Sequence, residues 1–230
     1  MHEAQLHQAN CFVTLTYEDE DLPPALDHRD YQLFMKRLRK RFTGIPIRYF
    51  MCGEYGDEYL RPHFHTCLFN VDFYDKKQYK QNELGQWMYE SPTLRALWPQ
   101  GQHTVQPLNH QTAGYTARYF FKRNTTAESL GLPPEYGRCS TRPGIGYAWF
   151  QQYAGTYMLP GDYVVNKDGR KCPVHAYYDK LFKRSGGDLD QVKALRELNA
   201  LPHRADNLPD RLRVREEVKT AQLRELKRTL

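Results

Sequence analysis

The sequence has no long apolar run. No segment approaches the roughly 18 consecutive apolar residues that a membrane span requires, and the opening MHEAQLHQAN lacks the apolar centre of a secretory leader. These two absences lead us to expect a cytoplasmic protein without a membrane partner. Cysteine is scarce too: Cys11, Cys52, Cys67, Cys139 and Cys172 are odd in number, widely spaced and form no C-x-x-C pair. That scatter excludes a disulfide framework and the usual zinc-ligand spacings. Cys11, Cys52 and Cys67 fall inside apolar, strand-like runs, where a free thiol behaves as a small buried hydrophobe. There is no internal repeat and no low-complexity tract, so solenoids and linker arrays are excluded as well.

What is present is an ordinary hydrophobic fraction of 40% over 230 residues, enough for one good core with a smaller appendage. The net charge of +6 permits a polyanionic partner, and its distribution says more than its sum. Lys36, Arg37, Arg39, Lys40, Arg41 and Arg48 stand in one stretch with no acidic residue between them, and Arg118, Lys122 and Arg123 form a second cluster. Clustered cations of this kind bind phosphates by counterion release. The candidate DNA contacts are therefore Lys36, Arg37, Lys40, Arg41, Arg118 and Arg123, although a solvated helix face has the same composition. Seventeen tyrosines suit stacking on unpaired bases and core packing equally.

Local patterns give an order of elements. Cys11–Tyr17 mixes β-branched and aromatic residues and ends at the proline-bearing EDEDLPP, as a buried strand would. With Asp27 or Asp30 as cap, a helix over about Asp30–Phe42 aligns Tyr31, Phe34, Met35, Leu38 and Phe42 on one face. Ile47–Cys52 and Phe64–Asn70 read as an antiparallel hairpin with a long, turn-rich connection. A short helix near Ser91–Trp98, a weak strand at His103–Gln106 and a helix over Gln111–Arg123 follow. The expected fold is α+β, a ferredoxin- or RRM-like antiparallel sheet with helices on one face. Residues 1–125 form its core, the Pro/Gly-punctuated residues 126–186 a loop-rich extension packed on it, and residues 187–230 a charged helical segment.

Chemistry concentrates in Arg61-Pro-His-Phe-His-Thr-Cys-Leu-Phe-Asn70. His63 and His65 stand two apart at the start of a strand, so both imidazoles face the same way. Across the hairpin, Glu54 in Cys52-Gly-Glu-Tyr-Gly can reach that face. Two imidazoles and a carboxylate make an incomplete metal shell with positions open to water or substrate oxygen. Such a set also suits non-haem iron or hydrolytic zinc, so the ligands alone do not choose a reaction. In Ala113-Gly-Tyr-Thr-Ala-Arg-Tyr-Phe-Phe-Lys-Arg123, helical spacing places Tyr115, Tyr119 and Lys122 on one stripe. Tyr55/Tyr59 and Tyr153/Tyr157 share the spacing of four, but the first lies in a glycine-bearing turn and the second has no lysine following. Two aromatics on the inner face of a helix would have the same spacing.

FVTLTY, then R-P-H-F-H with G-E-Y-G upstream, then Y-x-x-x-Y-x-x-K, in that order, resembles the three motifs of the HUH-superfamily rolling-circle replication initiators. The resemblance is nearest to the initiators of microvirus-type single-stranded DNA phages, of the gokushovirus branch, where pieces like Pro143-Gly-Ile-Gly146 and Tyr177-Tyr-Asp-Lys180 also occur. In conjugative relaxases the tyrosines precede the histidines; here they follow. The charged segment after Gly187 matches nothing in that pattern.

The resemblance implies an HUH endonuclease that nicks and rejoins single-stranded origin DNA. A phenolate of Tyr115 or Tyr119 attacks the phosphodiester, a 5′-phosphotyrosine forms, and the freed 3′-hydroxyl primes synthesis. It implies His63, His65 and Glu54 as ligands of Mn²⁺ or Mg²⁺ polarising a phosphate oxygen, and Lys122 offsetting transition-state charge or assisting the leaving group. The implied setting is the cytoplasm of a bacterial host, with a host helicase and polymerase as further partners. Two other classes fit parts of the sequence. A noncatalytic single-strand-binding module would use Phe12, Tyr49 and Phe64 as a stacking platform, and a metal-dependent oxygenase would leave the basic clusters without a purpose.

Overall fold

The computed structural model describes residues 1–56, 59–82, 85–118, 125–155, 161–165 and 169–225. The chain divides into two compact units, Met1–Gly146 and Tyr147–Thr229.

In the first unit a short helix, α1 (His2–Gln5), leads into β1 (Asn10–Thr16) and, after a loop, α2 (His28–Arg41). Asp27 caps α2 by accepting a 2.8 Å hydrogen bond from the Arg29 amide, a contact whose loss costs about 0.5–2 kcal/mol. Next come β2 (Arg48–Tyr55), β3 (Pro62–Phe69), β4 (Lys77–Gln81) and β5 (Trp87–Glu90). α3 (Pro92–Leu97), capped by Ser91, precedes β6 (His103–Pro107). α4 (His110–Arg118) starts where Asn109 Oδ1 accepts from the Gln111 and Thr112 amides, and α5 (Thr125–Ser129) and β7 (Tyr136–Cys139) complete the unit.

The seven strands form one antiparallel sheet in the order β4-β5-β6-β1-β3-β2-β7. Alternation divides the residues between its faces. Cys11, Val13 and Leu15 of β1, Met51 of β2, Phe64 and Leu68 of β3 and Val105 of β6 point to one side. There Tyr31, Phe34, Met35 and Leu38 of α2 and Leu94, Leu97 and Trp98 around α3 complete the main core. A cavity left by Phe64→Ala in this cluster would cost about 3–5 kcal/mol. Phe12, Cys52, Cys67 and Phe69 point to the other side, where Tyr115 of α4 packs on them. The α+β antiparallel fold expected from the sequence is present, with α2 and α3 sharing a face as expected and α4 lying across the opposite one.

The order of β1 and β3 is what matters for function, because both run through the middle of the sheet. Their pairing registers Thr14 with His65 and Thr16 with His63, while β2 registers Glu54 with His63 and Cys52 with His65. The far end of β1 is held by a close backbone approach. A methyl group at Gly101 would lie 2.4 Å from the Thr16 carbonyl oxygen, so only glycine fits where the chain enters β6.

In the second unit α6 (Tyr147–Tyr153), a hairpin of β8 (Tyr163–Val165) and β9 (Lys171–Pro173), α7 (Ala176–Arg184), α8 (Leu189–Ala200) and α9 (Pro209–Glu225) follow in order. Tyr178 of the Tyr-Tyr-Asp-Lys piece stacks on Trp149 and Phe150, and Asp179 shares Arg196 with Asp162. α9 is exposed along its whole described length. No helix among the described residues is long and apolar enough to cross a membrane.

Candidate metal centre and active site

Because Glu54 and His63 are directly paired across β2 and β3, and His65 follows His63 by one strand period, all three side chains rise from one patch of the sheet. The donor atoms lie within 4.8 Å of one another. Nε2 of His63 and Nε2 of His65 each lie 2.8 Å from the same oxygen, Glu54 Oε1. Glu54 is 1% exposed, and its other oxygen, Oε2, is buried with no hydrogen-bond partner among the described residues. A buried carboxylate oxygen without a donor is costly, and a cation held between it and two imidazoles removes that cost. The donor set of two neutral nitrogens and one anionic oxygen suits a divalent metal. This Glu/His/His group can hold such an ion.

The imidazoles are oriented from behind. His63 Nδ1 donates to the Arg61 carbonyl oxygen at 3.0 Å, which leaves Nε2 to face the cluster. His65 Nδ1 lies 2.9 Å from Thr14 Oγ1, and the Phe12 ring stacks on the His65 imidazole at 5.6 Å between centroids. A hydroxyl can serve either tautomer, so Thr14 holds the ring whether Nε2 carries a proton or gives its lone pair away. Contacts behind the ligands, like these, fix ligand orientation in metal sites.

Burial pushes the Glu54 carboxyl up, but the facing imidazoles of His65 and His63 outweigh it and hold it down at about 2. Burial likewise disfavours charge on His63; the hydrogen bond and charge of Glu54 reverse that and raise it. On His65 burial prevails over Glu54 and lowers it. The metal-free cluster is thus a carboxylate paired with a protonated His63 beside a neutral His65.

Tyr115 completes the group from α4. Its hydroxyl donates to Glu54 Oε1 at 3.3 Å, and its ring meets His65 edge-on with centroids 4.8 Å apart. Arg118, one turn further along α4, lays its guanidinium carbon 5.6 Å from the centre of the Tyr115 ring. A cation at that distance favours negative charge on the phenol.

The expected site residues are therefore distributed unevenly. Glu54, His63, His65, Tyr115 and Arg118 come together. Tyr119, Lys122 and Arg123 lie outside the described residues. Lys36, Lys40 and Arg41 are exposed on α2, which packs on the opposite face of the sheet from the histidines, and Arg37 donates from Nε to the Leu97 carbonyl at 2.7 Å. Phe12 and Phe64 are fully buried, so the stacking platform that a noncatalytic module would have used is not on the surface. Sequence reasoning missed Thr14. Its signal was the polar alternate position in FVTLTY, a residue of β1 that does not follow Val13 and Leu15 into the core.

Comparison with known proteins agrees with this arrangement. The family model for replication-associated protein ORF2/gene II protein matches residues 10–124, half of the chain. The chain is 34% identical over 195 residues to replication-associated protein VP4 of Bdellovibrio phage phiMH2K, an alignment covering 80% of this chain and 61% of that protein. It is 33% identical over 204 residues to replication-associated protein ORF2 of Spiroplasma virus 4, covering 82% and 63%. To replication-associated protein ORF4 of Chlamydia phage 1 it is 26% identical over 211 residues, covering 85% and 52%. The chain thus spans about three-fifths of the length of the first two relatives. No solved structure matches it.

Proposed function

The chain belongs to the family of replication-associated protein ORF2/gene II protein, and we propose that it initiates rolling-circle replication of a phage genome as an HUH endonuclease, nicking and rejoining single-stranded origin DNA. The observation that carries this reading is the Tyr115 hydroxyl 3.3 Å from Glu54 Oε1, the oxygen shared by both histidines. A phenol that packs on nothing but core needs no such neighbours. One hydrogen-bonded to a Glu/His/His cluster sits where a phosphate held there would meet it.

In the proposed reaction the Tyr115 oxygen attacks the scissile phosphorus. The new bond is O(Tyr)–P and the bond broken is P–O3′, so the phosphate stays on the 5′ end of the downstream strand and a 3′-hydroxyl is released. A phenol has an ordinary pKa of about 10, so its ionisation needs help at neutral pH. Glu54 accepts the hydroxyl hydrogen bond and fixes its direction, and Arg118 over the ring stabilises the phenolate. His63, His65 and Glu54 would hold Mn²⁺ or Mg²⁺, which when bound supplies positive charge for the phosphate oxygens. Tyr119 we assign as a second nucleophile that allows a second cleavage without dissociation, and Lys122 as the cation beside the leaving oxygen. Arg118 and Arg123 are assigned to DNA near the scissile bond. Lys36, Arg37, Lys40 and Arg41 are assigned to flanking DNA, away from the chemistry, because α2 stands across the sheet.

The site of action we infer is the cytoplasm of the phage's bacterial host, with a host helicase and polymerase acting on the nicked product. The test is to incubate the purified chain with a scanning set of phage-origin oligonucleotides in Mn²⁺ or Mg²⁺. Strand scission that disappears in His63→Ala is expected. Binding without scission by the wild type across the whole set would favour the noncatalytic module.

A further inference from the structure

The edge of the sheet formed by β4 carries exposed chemistry that the proposed reaction does not use. All five residues of Lys77–Gln81 are exposed. The β4–β5 register slips between Gln78 and Lys80, so Tyr79 is the unpaired residue of a β-bulge. Tyr79 is half-exposed, and the Lys80 ammonium lies 5.4 Å from the centre of its ring, so the two side chains stand together.

Register gives the face. Tyr89 pairs with Val105, packs on the main core and therefore points to the α2 side. Met88 alternates to the other side, and Lys80 is paired with Met88. Lys80, and with it the ring of Tyr79, thus lies on the face that bears Glu54, His63 and His65. Trp87, exposed as well, alternates with Met88 and belongs to the α2 side. Bulges re-aim side chains and are frequent beside active sites; this one turns an aromatic ring towards the functional face.

The hairpin is also tied to the site. Asn82 and Gln86 close its end by reciprocal bonds, with Asn82 N–H to the Gln86 carbonyl at 2.9 Å and Gln86 N–H to Asn82 Oδ1 at 2.9 Å. From there Gln86 Nε2 donates to Gln111 Oε1 on α4 at 2.9 Å. Gln111 and Tyr115 are one helical turn apart on α4. Four strand spacings of about 4.8 Å separate β4 from β3, roughly 19 Å, which is the span of a few nucleotides.

We propose that Tyr79 and Lys80 form a single-strand binding point on the β4 edge, the ring stacking on an unpaired base and the ammonium meeting its phosphate. This holds the strand a few nucleotides from Tyr115. The inference rests on the reading that single-stranded DNA is the substrate. Another protein's β-strand is the wrong occupant for this edge, since a bulge and two lysines are the devices that block strand addition. Duplex DNA offers no free base face to the ring.

The test is fluorescence anisotropy of the full chain with an oligothymidylate in chelator, so that no scission intervenes. Tyr79→Ala is expected to weaken binding about fivefold to a hundredfold, as loss of one base–aromatic stack does, while Tyr79→Phe keeps wild-type affinity. Lys80→Ala is expected to reduce the salt slope of log K by about 0.7. Trp87→Ala, on the other face, is expected to change nothing, and affinity for a blunt duplex is expected to be the same in all four proteins. Wild-type affinity in Tyr79→Ala, an equal loss in Tyr79→Phe, or an equal loss in Trp87→Ala would overturn the assignment. Covalent capture of origin DNA is scored separately. Capture with unaltered binding in Tyr79→Ala defeats the edge site alone, and weakened binding in Tyr79→Ala without any capture by the wild type defeats the nicking reaction while upholding the edge site.

Discussion

The hydroxyl of Tyr115 and the Oε1 oxygen of Glu54 lie 3.3 Å apart although 61 residues separate them in the chain. The contact joins the only described part of the Tyr-x-x-x-Tyr-x-x-Lys segment to the hairpin that carries His63 and His65. It makes a ligand cluster and a nucleophile two parts of one site. The first consequence concerns the cluster. Calorimetry with Mn²⁺ on the purified chain should show one site that disappears in His63→Ala and in His65→Ala. Glu54→Gln should weaken it, since the anionic ligand is replaced by a neutral one of the same shape. Unchanged binding in both alanine variants would remove these histidines from the ligand set.

Thr14 should matter without being a ligand. Its hydroxyl fixes the His65 ring through Nδ1 at 2.9 Å, and removing such a partner typically lowers metal affinity about 10–100-fold. Thr14→Val is expected to show that loss with an unchanged fold, and Thr14→Ser to restore most of the affinity. Equal affinity in the valine variant, measured by the same titration, would make Thr14 only a packing residue.

The titration of the cluster has a definite sign. Glu54 is held at about 2 against an ordinary value of 4.5, so its contribution to stability is present above 4.5 and is lost as pH falls through about 2. His63 is raised above its ordinary 6.5, so its contribution is full below 6.5 and is lost as pH rises through the raised value. In chelator, the melting temperature of the wild type should exceed that of Glu54→Gln most between about pH 4.5 and 6.5. A gap that widens steadily below about pH 4.5 would contradict the assigned charges. Metal should reverse the alkaline trend, because binding displaces the His63 proton and strengthens as pH rises.

The cysteines provide an independent check on the sheet. Burial raises Cys11, Cys52 and Cys67, the last to about 12, and raises Cys139 as well. Cys172 and Cys139 are the two partly exposed thiols. Iodoacetamide at about pH 8 with mass-spectrometric readout should label Cys172 and, more slowly, Cys139, and should reach the other three only in denaturant. Early labelling of Cys67 would mean that α4 does not cover that face.

Much of the first unit was legible because its signals are local. Asp27 and Ser91 cap where a cap was expected, and α2 runs over His28–Arg41 with the predicted inner face of Tyr31, Phe34, Met35 and Leu38. The H-x-H alternation put both imidazoles on one side, and the ordered motifs pointed to the family that the comparisons bear out. Three things were not legible. β4 is polar and wholly exposed, so KQYKQ shows no alternation to read. β7 is four residues held only by pairing with β2, a long-range contact. Which face α2 would cover could not be told from period two either. Phe64 and Leu68 turned to α2 and left His63 and His65 to α4, so the basic residues of α2 and the candidate metal centre ended on opposite sides.

The central claim is that Tyr115 makes a covalent bond to DNA at this site, and the polarity of that bond tests it most directly. An origin oligonucleotide labelled on the 3′ side of the scissile bond, incubated with protein and Mn²⁺ and run on a denaturing gel, should shift with the wild-type chain. The same oligonucleotide labelled on the 5′ side should not. Tyr115→Phe should reduce the shifted band, and Tyr115→Phe with Tyr119→Phe should abolish it while Mn²⁺ binding survives. A full-strength adduct in that double variant, or an adduct carrying the 5′-side label, would contradict the account.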